Sequence, residues 1–320
     1  MSQVSSNPFK FTDTNKRYHT YDYYLRHTFG GKCAKITLDA GLSCPNIDGK
    51  CGTGGCIYCS GGSASRTVDS LLSLKEQYHA QIDGASAKWK GLVGFIPYLQ
   101  AYSNTYTSPD NLRKILDDVS SLEGAVAVDI ATRADCLEDE KIEILRALSE
   151  KIPVTLELGL QSSDDETARV INRGHTYEVF VDAFMRVRKN APKVKIAVHI
   201  INGLPGENHE KMMKTAHSLA LLRPDIIKIH LLHIIEGTPL AKMYKDSLYT
   251  PLSLEEYVKI VCDQLEVLPC ECVIERVTGD GQRDTLLAPL WSLKKTVVIN
   301  EIDKELFRRN SHQGRYYNEN

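Results

Sequence analysis

From residue 33 onward, short aliphatic and β-branched runs alternate with longer segments whose apolar positions recur at helical spacing. This alternation predicts repeated βα units and therefore a parallel sheet with helical crossovers. The predicted strands are 33–40, 91–100, 125–132, 153–160, 193–201 and 225–232; the predicted helices lie near 68–83, 109–119, 138–150, 164–189, 207–222 and 254–268. Six such units favour an α/β fold with a partial or full barrel, and a doubly wound open sheet is the alternative.

The polar residues within the predicted strands fall on one face. Successive strand residues point to opposite faces. Each of four consecutive predicted strands has one wholly aliphatic face and one polar face. In chain order, the polar faces carry Asp129 and Arg133; Thr155, Glu157 and Gln161; Lys195 and His199; and Lys228 and His230. An ordinary barrel interior is filled by aliphatic layers. The shared polar face therefore predicts an interior that binds a large polar ligand. We do not interpret His230 and His233 as a zinc pair, because three residues apart on a strand they face opposite ways.

The composition is that of a globular protein without a secretory or membrane segment. The 320 residues are 42% hydrophobic, and the net charge of −2 argues against a surface coated with basic residues for nucleic acid. The N-terminus lacks a basic region followed by an apolar run, and the most apolar stretch, 226–237, is interrupted by charged and polar residues. We expect a cytoplasmic protein with no membrane partner, in which clustered cysteines are reduced and serve as metal ligands or redox groups.

The charge is unevenly distributed along the chain. Residues 1–37 carry six Lys or Arg and two Asp, interleaved with seven Phe and Tyr. Such a segment could stack on and neutralise single-stranded RNA. The alternative is that the aromatic residues dock this arm onto the rest of the protein.

Four cysteines lie close together in the segment SCPNIDGKCGTGGCIYCS, residues 43–60. Four thiolates could hold a structural zinc ion, although 44–51 is a loose first knuckle for a zinc ribbon. A thioredoxin-like CxxC at 56–59 should instead open a helix in a far smaller domain. The third alternative is an iron–sulfur cluster held by three cysteines, with one iron open to a further ligand. The glycines permit close wrapping, and the loop follows the first strand, at the end where barrel enzymes place their chemistry.

These residues resemble the radical S-adenosylmethionine (SAM) superfamily, and within it the Elp3-related bacterial YhcC/YtqA family. The resemblance is carried by CPN-x-DG (44–49), GGC-x-x-C (54–59), QAYSNT (100–105), ATRADCL (131–137), ELGLQSS (157–163), INRGH (171–175), HIINGLPGE (199–207), KIHLLHIIEGTPL (228–240), VCDQLE (261–266) and RVTGDG (276–281). It extends over roughly residues 16–315. There are two departures: the family does not need Cys51, and QAYSNT replaces the Gly-Gly-Glu tripeptide found elsewhere in the superfamily.

The resemblance implies a partial (β/α)6 TIM-like barrel of the radical SAM type. Its parts would be an N-terminal basic and aromatic arm (1–32), a core barrel (33–245) and a C-terminal extension that closes the barrel (246–320), with help from RVTGDG. The implied cofactors are SAM and a [4Fe–4S] cluster, the latter held by Cys44, Cys56 and Cys59. The implied SAM contacts are Tyr58, Gln100, Asn104, Glu157, Gln161, Asn202, Gly203, Leu204 and Pro205.

The resemblance also implies a reaction. The reduced cluster, supplied by a flavodoxin- or ferredoxin-type electron donor, cleaves SAM to a 5′-deoxyadenosyl radical that attacks the substrate. Candidates on the substrate side are Arg133, His199, Lys228, His230 and Tyr102. Kinship with Elp3 points to the tRNA anticodon, with conversion of 5-carboxymethylaminomethyluridine to 5-aminomethyluridine at the wobble position. The alternatives are a radical SAM enzyme for a small molecule or peptide, and a non-catalytic, zinc-stabilised nucleic-acid-binding module.

Overall fold

The computed structural model describes residues 7–61, 68–279, 281 and 283–318. Its strands are β1 (Lys32–Leu38), β2 (Leu92–Leu99), β3 (Val128–Thr132), β4 (Val154–Gln161), β5 (Lys195–Asn202), β6 (Ile226–Leu231), β7 (Ile234–Ile235), β8 (Val273–Arg276) and β9 (Leu286–Ala288). Its α-helices are α1 (Tyr21–Phe29), α2 (Leu74–Lys88), α3 (Pro109–Ser120), α4 (Asp139–Ser149), α5 (Asp165–Val170), α6 (Tyr177–Asn190), α7 (His209–Leu222), α8 (Pro239–Lys245), α9 (Leu254–Val267) and α10 (Lys295–Arg308). Short 3-10 helices cover Ala134–Cys136 and Leu290–Leu293.

Seven strands form one sheet in the order β1-β2-β3-β4-β5-β6-β8, and β7 pairs with β9. The pairings β1 with β2, β2 with β3, β3 with β4 and β6 with β8 are parallel. A doubly wound sheet reverses its strand order at a switch point, whereas here the first six strands follow in chain order. The partial (β/α) barrel is therefore confirmed, and the doubly wound alternative is wrong.

The helix boundaries follow the local signals in the sequence. Ser108 caps α3 by accepting from the Asn111 N–H, and Pro109 occupies the first turn, as the Ser-Pro-Asp sequence indicates. The single helix predicted over 164–189 is wrong. It divides into α5 and α6, because Asn172 and Gly174 adopt left-handed backbone angles of φ 53° and 87° that end a helix. Within the described residues no helix is long and apolar enough to cross a membrane.

The chain forms two compact units, each described here by itself. The cysteine unit comprises Leu25–Leu160 and Ala168–His199, and it includes the cysteine loop and most of β1 to β5. The terminal unit comprises the described residues up to 24, Gln161–Thr167 and 200–318, and it includes β6 to β9. The domain boundaries expected at residues 32 and 245 stay predictions.

The N-terminal arm packs within the terminal unit. Phe9 and Tyr18 are buried, and Thr20 forms a parallel bridge with Ile274 beside β8. Arg17 is 4% exposed, and its guanidinium donates to the Ser311 carbonyl at 3.2 Å. Packing therefore accounts for these residues, and the RNA-stacking interpretation of Arg17 is wrong, because its charge is already used inside the protein.

Other cations of the arm are also in intramolecular contacts. Lys16 pairs with Asp303, and Lys10 pairs with Glu271 at 3.0 Å. The ammonium of Lys32 lies 5.7 Å from the ring centroid of Trp89 in the cysteine unit. Lys10 and Lys32 nevertheless remain exposed, so both stay accessible to a phosphate.

Candidate active site

The cysteine loop, residues 44–59, folds back on itself between β1 and α2. The Cys51 N–H donates to the Pro45 carbonyl at 2.9 Å, and the Gly55 N–H donates to the Asn46 carbonyl at 2.9 Å. The Cys59 N–H closes a turn onto the Cys56 carbonyl, also at 2.9 Å. These bonds bring all four cysteines of the loop into one compact segment.

Glycine is required at two positions of the loop, one because of close contact and the other because of its backbone conformation. A Cβ on Gly52 would lie 2.1 Å from Oδ1 of Asn46, which leaves no room for a side chain. Gly54 adopts φ 78°, a left-handed conformation that other residues rarely take. The glycines therefore fix the shape of the loop, as the sequence indicated.

The segment after α5 clamps the loop from one side. The side chain of Asn172 donates to the carbonyls of Thr53 at 3.2 Å and Gly55 at 2.8 Å. The Asn172 carbonyl in turn accepts from Nδ2 of the fully buried Asn46 at 2.5 Å. The INRGH motif thus has a structural role, since it supplies the hydrogen bonds that the irregular backbone of the loop cannot make to itself.

Arg133 braces the loop from the end of β3. Its guanidinium makes a bidentate pair with Asp135 at 2.8 and 2.7 Å and donates to the Arg173 carbonyl at 2.8 Å. Its Nη2 also lies 3.6 Å from Sγ of Cys51. Four of the directions in which the guanidinium can donate are thereby used, so the structure indicates a positioning role for Arg133 where we had expected contact with substrate.

The expected ligands lie within electrostatic range of one another. Burial raises the pKa of the Cys44 and Cys56 thiols, and an ionised Cys59 would raise both further. The Tyr58 hydroxyl hydrogen-bonds Cys56. Burial raises the pKa of Tyr102, which has a left-handed φ of 56°, and ionised Cys59 and Cys44 would raise that pKa further. A bound cation would favour the thiolate form of each cysteine.

The donor set fits an iron–sulfur cluster better than a single zinc ion. In the described ranges, no three Cys, His, Asp or Glu side chains come together closely enough to hold one metal ion. Each cysteine of a four-iron cluster binds a different iron, so its three sulfurs stand further apart than the ligands of one ion. The zinc alternative accordingly receives no support from the geometry.

A polar network crosses the strands of the cysteine unit. The Lys35 ammonium contacts Asp129 at 2.6 Å and Glu157 at 2.9 Å, and both carboxylates are 1% exposed or less at their side chains. Nε2 of His199 lies 2.9 Å from Glu157, and the Tyr98 hydroxyl donates to the same carboxylate. The shared polar face predicted for β3, β4 and β5 is therefore present in this unit.

Two members of this network were missed in the sequence. Lys35 alternates with Ile36 and Leu38 in β1. The alternation that placed Glu157 on the polar face could therefore have placed Lys35 there too. We had read Lys35 as a charge of the N-terminal arm, and that is wrong because it is half-buried against two carboxylates. Tyr98 carried no sequence signal of its own, because an aromatic residue in a strand is ordinary core material.

The segment after β2 supplies the other two expected cofactor contacts of the cysteine unit. Gln100 is half-buried, and its N–H donates to the Leu38 carbonyl at 3.2 Å. Asn104 is fully buried and uses its amide nitrogen on the carbonyls of Leu99, Ala101 and Ala131 at 2.9–3.0 Å. Its Oδ1 has no hydrogen-bond partner among the residues that the structure describes. This oxygen is therefore the part of Asn104 that a ligand donor could reach.

In the terminal unit, the segment from Asn202 to Pro205 is buried at the end of β5. Asn202 and Gln264 exchange two amide hydrogen bonds of 2.8 Å, and the Gly203 carbonyl accepts from the Tyr249 hydroxyl. A Cβ on Gly203, at φ 85°, would lie 3.1 Å from Leu252. The side chain of Asn202 is thus committed to Gln264, and several backbone groups of the segment are also hydrogen-bonded within the protein.

Further features of the terminal unit concern the expected SAM contacts. Gln161, another expected cofactor contact, ends β4 in a left-handed conformation of φ 60° and is half-buried. The Ser162 hydroxyl donates to Glu207, and burial raises the pKa of Glu207 to about 7. Leu204 is 1% exposed and belongs to the core of the unit.

The substrate-side candidates of the terminal unit lie on β6. Lys228 is 2% exposed at its side chain and pairs with Glu275 of β8 at 2.9 Å. His230 and His233 do not face opposite ways: a Cβ on Gly279 would lie 3.9 Å from Nδ1 of His230 and 3.0 Å from Cε1 of His233. The parity argument is wrong here because β6 ends at Leu231, before His233. Gly279 of RVTGDG thus lies against both imidazoles; Asp280 lies outside the described residues.

The fold and the cysteine loop define a class of protein. The model of the Radical SAM superfamily matches residues 49–219, and the Radical SAM C-terminal domain matches 224–308. The chain therefore belongs to the radical SAM superfamily. Its cofactors are a [4Fe–4S] cluster and SAM, which this superfamily uses.

The particular relatives narrow the placement. The chain is 41% identical over 318 residues to YtqA of Bacillus subtilis, covering 98% of this chain and 97% of the relative. It is 31% identical to YhcC of Escherichia coli, covering 88% and 90%. It is 28% identical to the tRNA uridine(34) acetyltransferase of Methanocaldococcus jannaschii over 80% of this chain but only 51% of that protein.

A solved structure resembles the fold. The archaeal Elp3 of Methanocaldococcus infernus superimposes with a TM-score of 0.66 at 18% identity, covering 88% of this chain and 64% of that one. The expected kinship with the Elp3-related YhcC/YtqA family is confirmed by these matches together.

Proposed function

We propose that the chain is a radical SAM enzyme that acts on the wobble uridine of tRNA. The reaction would convert 5-carboxymethylaminomethyluridine to 5-aminomethyluridine: oxidation of the carboxymethyl carbon, with SAM as the two-electron oxidant, and hydrolysis of the resulting imine by water would release that group as glyoxylate and leave the amine. The observation that carries the substrate is the alignment, over 80% of this chain, with a relative named as a tRNA uridine(34) acetyltransferase. A cytoplasmic location follows from a tRNA substrate.

Within this proposal, Cys44, Cys56 and Cys59 hold the [4Fe–4S] cluster. Once bound there, the cluster would supply the one-electron chemistry that activates SAM, while the residues of this chain would position both groups. A flavodoxin- or ferredoxin-type protein is the proposed electron donor. Asn172 and Arg133 keep the loop in shape, which the hydrogen bonds to Thr53, Gly55 and Asp135 support.

The SAM contacts that we propose are Tyr58, Gln100, Asn104, Glu157, Gln161 and the backbone of residues 202–205. The proposal gives Glu157 one remaining acceptor position, since a carboxylate has about four lone-pair sites and three side chains already use its oxygens. Tyr102, His199, Lys228 and His230 are proposed on the substrate side, and of these His199 can hold a proton beside Glu157.

Nucleoside analysis of tRNA from a strain that lacks the gene tests the proposal. We expect 5-carboxymethylaminomethyluridine to accumulate at the wobble position and the 5-aminomethyl form to disappear. The parent gene should restore the profile, and a Cys56→Ala gene should not. An unchanged nucleoside profile, together with tRNA-independent formation of 5′-deoxyadenosine by the reconstituted protein, would instead indicate a small-molecule or peptide substrate.

A further inference from the structure

The loop contains one thiol more than the cluster needs, and the structure gives that thiol a definite place. The Cys51 N–H is bonded to the Pro45 carbonyl at 2.9 Å, so Cys51 lies beside the residue that follows Cys44. Cys51 is exposed, and this bond places it next to an expected cluster ligand.

One buried amide connects Cys51 to a second expected ligand. Nδ2 of Asn46 lies 3.7 Å from Sγ of Cys56. Oδ1 of the same side chain lies 3.1 Å from the point where a Cβ on Gly174 would stand, and Sγ of Cys51 lies 3.3 Å from that point. Asn46 is fully buried, and its Oδ1 has no hydrogen-bond partner in the described part of the chain. The amide thus reaches Cys56 with one end and the surroundings of Cys51 with the other.

The same small space is bounded by a positive charge. Nη2 of Arg133 lies 3.4 Å from the Gly174 Cβ position and 3.6 Å from Sγ of Cys51. One cation therefore lies beside the Cys51 sulfur, where it would stabilise a thiolate.

From this arrangement we infer that Cys51 is a fourth, exchangeable ligand of the cluster. In the absence of SAM its thiolate binds the iron that Cys44, Cys56 and Cys59 leave open. On binding, SAM would replace Cys51 as the ligand of that iron, and the released thiolate would return to Arg133. No electron is transferred in this exchange, so no oxidant or reductant is consumed. The inference rests on the proposed function only in requiring that these three cysteines hold the cluster.

A capped cluster and an open cluster respond differently to oxidation. A four-iron cluster with an open iron loses that iron and becomes a [3Fe–4S] cluster, whereas four thiolate ligands retain it. We expect anaerobically reconstituted parent protein, treated with ferricyanide without SAM, to resist conversion. Cys51→Ala should convert readily and give the electron paramagnetic resonance signal of a [3Fe–4S] cluster. The matched control is Cys270→Ala, which removes a half-buried thiol from the terminal unit and should behave as the parent.

The affinity for SAM gives a second readout. Here the variant should bind more tightly than the parent, whereas most substitutions near a binding site weaken binding. If about nine-tenths of the parent is capped, only one-tenth is competent to bind, so Cys51→Ala should bind SAM about tenfold more tightly. Calorimetric titration of the reconstituted proteins measures this.

Equal SAM affinity and equal conversion in Cys51→Ala and the parent would overturn the inference while leaving the proposed function intact. Loss of the cluster from Cys51→Ala with retention in Cys44→Ala would overturn it too, since Cys51 would then be one of the three permanent ligands. Failure of the parent to form any cluster would contradict the proposed function itself.

Discussion

At the scale of single residues, the charged side chains of the site already pair with one another without a ligand. Glu157 is 1% exposed, and Lys35, Tyr98 and His199 all contact its carboxylate. Removing one partner of a buried ion pair leaves the other charge desolvated, which costs more than the pair gains. Glu157 is thus a structural residue first, whatever it contributes to SAM binding.

Replacing Glu157 by Gln separates these two roles. Because Lys35 keeps Asp129 as a partner, we expect the free energy of unfolding to fall by about 3 kcal/mol, at the low end for a broken buried pair. A lost hydrogen bond to a charged ligand group should weaken SAM binding about tenfold. Chemical denaturation and calorimetry measure the two effects. Tyr98→Phe is the control and should cost only about 1.5 kcal/mol. Unchanged SAM affinity in folded Glu157→Gln would limit this residue to the ion pair.

Glu207 makes the stability of the protein depend on pH. Burial raises its pKa to about 7 from an ordinary 4.5, so the native state holds a proton that the unfolded chain has lost between these values. Stability is therefore fully present below about pH 4.5 and falls as the pH rises to about 7, by about 3 kcal/mol at most. Glu207→Gln keeps an acceptor for Ser162 but cannot ionise. The parent should lose stability relative to this variant between pH 5 and 8, in urea unfolding; a constant difference would contradict the burial of the charge.

At the scale of elements, the regular part of the fold was readable and the irregular part was not. The six long strands were predictable because their aliphatic and β-branched runs are bounded by polar segments. β7 and β9, with two and three residues, are too short to show a period. β8 joins the sheet beyond β6 although its sequence, VIER, ends in two charges, because Glu275 neutralises Lys228 there.

The site divides in the same way. The cysteines and the polar strand faces were predictable, since residue type and spacing carry them. The clamp on the loop was not, because Asn172 is more than a hundred positions from the backbone that it holds, and no spacing reveals such a contact. Arg133 was found as a polar residue, but its contacts were not predictable, since only the structure shows that Asp135 and the Arg173 carbonyl use its donors.

Because Asn172 hydrogen-bonds the loop, we expect it to control cluster retention although it is not itself a cluster ligand. Asn172→Gly keeps the left-handed backbone but loses two hydrogen bonds to the loop, at about 1 kcal/mol each. Asn172→Ala also pays about 1 kcal/mol for the backbone conformation. Iron and sulfide per chain should therefore fall in the order parent, Gly variant, Ala variant. Equal iron content in the parent and Asn172→Gly would show that the amide bonds do not hold the loop.

At the scale of the whole molecule, the two ends of the chain meet inside the terminal unit. The Gln313 N–H donates to the Arg17 carbonyl at 2.9 Å, and the His19 N–H donates to the Gln313 side chain at 2.9 Å. The Arg17 guanidinium lies 5.2 Å from the ring centroid of Phe307 on α10. Because its guanidinium is used internally, Arg17 stabilises the fold and offers no charge to a tRNA phosphate.

This predicts that Arg17 of the arm contributes to stability and not to tRNA binding. Arg17→Ala loses a hydrogen bond from a charged donor and a cation–π contact, so the free energy of unfolding should fall by about 3 kcal/mol. At a temperature where the variant is folded, its affinity for tRNA and the slope of that affinity against salt should equal those of the parent, because no counterion release is lost. Lys10→Ala, which removes an exposed cation of the same arm, is the matched control and should leave stability unchanged. Denaturation and filter binding over a salt series measure both quantities. An Arg17→Ala protein of full stability whose tRNA affinity and salt slope both fall would return the arm to an RNA-binding role.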